Sequence, residues 1–177
     1  MFFCPASCIQ KNMMHTITYC LIIVTSFLGQ AQNSSDKTYF DFWEGTWHRE
    51  INGQPDATAT RFVVKRGINK LVFEEAWRMT DPDGQHFLAR GIRAWDQATK
   101  SWKYIWMSEG QHFQIWEGKK VDGHWYIYKY FDINGDRYLS RQAWIPLENG
   151  RLMRVSEKSY DEGATWTLRF KEFYKRE

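Results

Sequence analysis

The chain has 177 residues and a formal net charge of +3, with 24 basic against 21 acidic residues. That length favours one domain beyond any targeting segment. Its charges are scattered singly, unlike the clustered basic face of a nucleic-acid-binding protein, and all three cysteines (Cys4, Cys8, Cys20) precede residue 31, so the rest has no disulfide framework and no thiolate for catalysis or metal binding.

Residues 1–31 stand apart. Lys11 is their only charged residue, and 19–28 is an apolar run too short for a comfortable membrane span. Gly29-Gln30-Ala31 places small residues at the −3 and −1 positions of a cleavage site. The segment reads as a secretory signal peptide, giving a periplasmic or secreted protein with no stable membrane span after cleavage. The tandem Met13 and Met14 suggest a true start there, with 1–12 an extension. Residues 32–38 form a polar linker.

A single domain is expected over 39–177. It opens with Tyr39-Phe-Asp-Phe-Trp-Glu-Gly-Thr-Trp47, a short aromatic helical turn feeding a Gly-x-Trp step. Strand-like segments follow at 47–51, 58–65, 71–79, 86–95, 102–108, 112–117, 125–131, 138–145, 152–159 and 166–174. Turn signals separate them, among them Asn52-Gly53, Asp81-Pro-Asp-Gly84, Asp122-Gly123, Asn134-Gly135 and Asn149-Gly150. Nearest-neighbour pairing through such turns gives an all-β, antiparallel up-and-down barrel of about 8–10 strands. Its closed end would be plugged by Phe40, Phe42, Trp43, Gly45 and Trp47.

Alternation assigns faces. One face of 71–79 carries Leu71, Phe73, Glu75, Trp77 and Met79. The matching faces elsewhere are Trp102, Tyr104, Trp106 and Ser108; His112, Gln114 and Trp116; Tyr138, Ser140, Gln142 and Trp144; and Trp166, Leu168, Phe170, Glu172 and Tyr174. All ten tryptophans follow residue 31, and aromatics carry large buried area. Yet Glu75, Tyr104, Gln114, Ser140 and Gln142 interrupt these faces. In a packed core such groups are costly unless paired; a pocket would accommodate them. The candidate ligand-binding set is therefore Glu75, Trp77, Tyr104, Trp106, Gln114, Trp116, Gln142 and Trp144, for a small, mostly apolar ligand. The alternative is that these faces point outward or that their polar residues lie at a barrel mouth.

Other motifs read as structure. Ser159-Tyr-Asp-Glu-Gly-Ala-Thr-Trp166 fits the Asp-box pattern, but a propeller needs several copies and more chain; here it is a turn held by Asp161. Asp132-Ile-Asn-Gly-Asp136 lacks the distal carboxylate of a calcium loop. His48, His86, His112 and His124 are not at metal-site spacings, although one hairpin joins His112 to His124. No metal or other cofactor is expected. A haem barrel of the nitrobindin type would need Gly-x-Trp-x-Gly-x-Gly, where this chain has Arg49 and Ile51 at the later glycines, and a late axial His, where the last is His124.

Phe40-Asp-Phe-Trp-Glu-Gly-Thr-Trp47, Leu71-Val-Phe-Glu-Glu-Ala-Trp77, Trp95-Asp-Gln-Ala-Thr-Lys-Ser-Trp102, Trp144-Ile-Pro-Leu-Glu-Asn-Gly150, Asp161-Glu-Gly-Ala-Thr-Trp166 and Phe173-Tyr-Lys-Arg176 occur in order. Together they resemble a bacterial family of small exported barrels, domain-of-unknown-function family 1579. The resemblance implies a lipocalin-like, calycin-type fold and a bacterial source, and it brings no assigned catalytic residues. Gly45-x-Trp47 is also similar to lipocalins proper, in which a late basic residue covers the first-strand Trp; Arg176 or Lys175 would do so here by a cation–π contact.

Three functions remain open. One is a binding module, monomer or homodimer, for a small apolar ligand. Another is an isomerase or hydrolase with Glu75 as acid or base and His112 or Tyr104 as partner. The third is an envelope protein with a filled barrel.

Overall fold

Strands of alternating pattern, joined by tight turns, build an antiparallel meander that closes on itself. The computed structural model describes residues 36–56, 58–81 and 83–177; the signal-peptide and cleavage readings, and most of the linker, lie outside these. The chain divides into two units, Met1–Tyr39 and Phe40–Glu177, of which the second holds the barrel.

Its strands are β1 (Gly45–Ile51), β2 (Gln54–Pro55), β3 (Arg61–Arg66), β4 (Val72–Thr80), β5 (His86–Asp96), β6 (Ser101–Ser108), β7 (Phe113–Val121), β8 (His124–Ile133), β9 (Asp136–Leu147), β10 (Arg151–Ser159) and β11 (Thr167–Arg176). The stub β2 pairs with β1 alone. The other ten form the closed antiparallel barrel, each strand beside its sequence neighbours, and β11 returns to β1 at Trp47↔Arg176. Closure leaves no long unpaired edge. Each of the ten expected strand segments overlaps one of these ten strands; only β2 had no counterpart. Asn52-Gly53, Asp122-Gly123 and Asn134-Gly135 all have positive φ at both residues, the requirement of the two-residue hairpin turn.

The aromatic opening packs against residues of the barrel interior. A 3-10 turn, Tyr39–Phe42, precedes β1. Phe40, Trp43 and Trp47 are buried and Phe42 is half-buried. The Phe40 ring meets Trp102 edge-on at 5.0 Å, and Trp43 meets Trp144 at 4.7 Å and Phe62 at 5.2 Å. Gly45 has φ +141°, a region that suits glycine, and a Cβ there would lie 3.3 Å from Arg176 Nε. The Arg176 guanidinium lies 4.7 Å from the Trp47 ring and donates to Phe42 O. Lys175 instead donates to Asn149 O.

One assignment of faces needs correction. Trp166 and Leu168 do not share the inner face with Phe170, Glu172 and Tyr174. The register slips between Ser156 and Glu157, where Phe170 and Leu168 are the successive partners on β11 and Arg169 is the extra residue. Such a bulge reverses alternation beyond it. Leu168 is consequently exposed, and Trp166 packs outside on Tyr128 (5.9 Å) and under the Arg141 guanidinium (4.0 Å).

Candidate functional site

The inner faces of β4, β6, β7, β8, β9, β10 and β11 surround a cavity of about 240 Å³ that opens to solvent. Trp77, Tyr104, Trp106, Gln114, Trp116, Gln142 and Trp144 all line it, joined by Phe131, Tyr138 and Phe170. Seven of the eight candidate ligand-binding residues therefore share one wall system. A more open recess of about 440 Å³ adjoins it, with Trp106 and Gln114 common to both and Phe87, Ser108, Gly110 and His112 completing it.

The eighth residue, Glu75, lies behind the wall. It is 1% exposed and does not reach the cavity. Its Oε1 accepts from Trp43 Nε1 at 3.1 Å, and its Oε2 accepts from Trp77 Nε1 at 3.0 Å and from the Tyr104 hydroxyl at 2.9 Å. Arg93 Nε lies 3.5 Å from Oε1, both side chains fully buried. That contact pairs the charges without hydrogen-bond alignment, since Arg93 Nε and one Nη make no hydrogen bond. Aromatic faces compensate: the Arg93 guanidinium lies 4.5 Å from the Phe40 ring, 4.7 Å from Tyr104 and 5.6 Å from Trp43.

This arrangement suits a charge fixed in place. A carboxylate offers about four acceptor directions, and three donors plus Arg93 occupy the space around them. Burial first, then the Glu75 charge, push the Tyr104 hydroxyl well above its ordinary range, so it remains a donor to Glu75. His112 is exposed in the β6–β7 turn. Glu75 lies on β4, with β5 and β6 between it and the strand that follows His112, and none of its hydrogen bonds involves His112. Glu75 and Tyr104 are thus brought together, and His112 is not. His112 and His124 stand at opposite ends of β7. Among the described residues no cluster of His, Cys, Asp or Glu has a metal-binding arrangement.

Higher in the barrel is a second polar group that the alternation did not single out. Arg154 points inward from β10, donating to Gln142 Oε1 at 2.9 Å and to Glu172 Oε2 at 3.2 Å. Its guanidinium lies among the rings of Phe170 (4.9 Å), Trp144 (5.5 Å) and Trp77 (5.8 Å). Burial works against the Arg154 charge, but Tyr174, Glu172 and Tyr104 more than offset it and raise its pKa. Glu172 also takes Arg49 at 3.4 Å and the Tyr174 hydroxyl at 3.0 Å. Burial pushes that hydroxyl above its ordinary range too. The bulge adds Arg169 to the cavity wall, where it donates to Ser140 Oγ at 3.3 Å.

Face composition hid Arg154. On β10 the inward set Leu152, Arg154, Ser156 and Lys158 is more polar than the outward set Met153, Val155 and Glu157. The signal that could have found it is register: Arg154 pairs with Trp144 on one side and Glu172 on the other, both on assigned inner faces.

No model of a known protein family matches the chain, and no curated protein matches it.

Proposed function

We propose that this chain is a lipocalin-like binding barrel that holds a small, mostly apolar molecule. The observation that carries this reading is the aromatic-walled space of about 240 Å³, open to solvent and widened by the adjoining recess. Ligand sites are concave and mostly apolar with a few placed polar groups, and Gln114, Gln142 and Arg154 supply those here. A packed core would have filled that space to crystal-like density.

The reading includes export directed by residues 1–31 and action in the periplasm or outside the cell. It also includes membership of the bacterial domain-of-unknown-function family 1579, supported by the ordered motifs from Phe40 to Arg176. Acid–base catalysis at Glu75 gains no support, because its oxygens are engaged by Trp43, Trp77 and Tyr104 behind the cavity wall.

Native mass spectrometry of the protein purified from its own cells tests the reading. A reproducible bound mass that is lost in Trp116→Arg, which places a charge in the cavity, is the expected result. A protein that is always empty overturns it.

A further inference from the structure

The charges that face the barrel interior are unbalanced, and a bulge contributes one of them. Deep in the barrel Glu75 is matched by Arg93. Above them Glu172 faces both Arg49 and Arg154. Arg169 has no carboxylate within ion-pair distance among the described residues and meets only the Ser140 hydroxyl. Register places Lys129, Ser140 and Lys158 side by side on the same inner face. The Lys129 ammonium lies 5.4 Å from the Phe131 ring, and the Lys158 ammonium lies 5.7 Å from the Tyr138 ring. Arg169 is 5.4 Å from that same Tyr138 ring. Phe131 and Tyr138 stack at 5.5 Å and both line the cavity. Three cations therefore ring one aromatic pair at the mouth, with Arg154 below.

Most acidic residues of the nearby turns are directed elsewhere. Asp81 accepts from the backbone of Asp83 and Gln85, Glu109 from Leu88 N, and Asp161 from Thr165 and Ser159. Asp136 reaches the Tyr160 hydroxyl at 3.5 Å, and Glu162 takes the Tyr130 hydroxyl. Lys158 donates to the Tyr160 hydroxyl at 2.7 Å; Arg169 and Lys129 have no carboxylate within ion-pair distance among the described residues, and of the three cations Arg169 is the one in the cavity wall.

We propose that the cavity mouth recognises an anion, and that the ligand is a monocarboxylate with a short or flat apolar body. The inference rests on the cavity reading above. Arg169 would take the carboxylate through its planar fork, which matches two oxygens at once. The apolar body would lie against Trp106, Trp116 and Phe131. One carboxylate is assigned because, of the two arginines in the cavity wall, Arg154 is paired with Glu172 and only Arg169 lacks an ion pair. The bulge explains how Arg169 is available: in an unbroken ladder the neighbours of an inward Phe170 would face outward, and the extra residue turns Arg169 inward beside it.

Calorimetric titration with octanoate, octanol and octylamine tests this on the purified protein and on Arg169→Met, whose fold is checked by circular dichroism. Octanoate is expected to bind about tenfold more tightly than octanol, the size of one charge-assisted hydrogen bond, and octylamine more weakly than either. Arg169→Met removes the advantage of octanoate over octanol. Equal binding of octanol and octanoate, with no change in Arg169→Met, overturns the anion site while the cavity reading stands. Failure of all three probes overturns both. Tighter binding of octyl phosphate than of octanoate overturns the assignment of a single charge.

Discussion

The Tyr104 hydroxyl donates to Glu75 Oε2 at 2.9 Å diagonally across β5, passing over Gly91. A Cβ on Gly91 would lie 2.6 Å from the Tyr104 oxygen and 2.8 Å from Glu75 Oε2. The hydrogen bond exists because the intervening strand carries no side chain there. Gly91→Ala is expected to destabilise by about 2–3 kcal/mol, as an overpacked core does. In a Tyr104→Phe background the same change should cost less. Urea melts of the four proteins measure the difference; equal costs in both backgrounds would refute the account.

Glu75 and Arg93 form a fully buried pair. Removing one partner strands the other, at a cost of about 3–5 kcal/mol. Glu75→Gln should therefore unfold at markedly lower urea. The double variant Glu75→Gln with Arg93→Met should be less destabilised than the two single losses added together. Strict additivity would mean that the contact between them is energetically idle.

Turn electrostatics give a pH prediction. Hydrogen bonds from Ser159 and then Thr165 lower the Asp161 pKa from 3.8 to about 2. A depressed carboxylate contributes stability that is fully present above its unfolded pKa and is lost as pH falls through the folded one. The stability gap between the parent and Asp161→Asn should hold constant above about pH 5, narrow below about pH 4, and close near about pH 2. Denaturation midpoints recorded across this range decide it. A gap that is the same at pH 3 as at pH 7 would remove Asp161 as the acid-sensitive element.

Deleting Arg169 should regularise the β10–β11 ladder without moving any other pair, because Leu168 and Phe170 already face Glu157 and Ser156. Stability is expected to stay within about 0.5 kcal/mol of the parent. Thermal melts and amide exchange across β11 test this. Loss of the folded state would show that the bulge relieves strain in barrel closure in addition to aiming the arginine.

The aromatic opening, the ten strands and most inner faces were legible because alternation and Asn-Gly or Asp-Gly turns are local signals. Seven cavity residues followed from those faces. What was illegible has specific causes. A bulge is one extra residue with no compositional mark, so Trp166 and Leu168 were placed on the wrong face and Arg169 was not seen. Arg154 was hidden because burying an arginine contradicts composition until its partners Gln142 and Glu172 are known. Glu75 read as a pocket group because its donors, Trp43 and Tyr104, come from 32 and 29 positions away in the chain.

The seam between β1 and β11 joins the first barrel strand to the last. Trp47 cannot be covered by Arg176 until the C-terminal strand is available. During synthesis the meander can grow hairpin by hairpin, yet the ring stays open until residues 174–176 arrive. Local hairpins then form early, while the closing step must bring together distant parts of the chain, as in slow-folding, high-contact-order proteins. Loss of residues 174–176 would leave two unpaired edges and an uncovered Trp47, turning a closed ring into a sheet open to other strands.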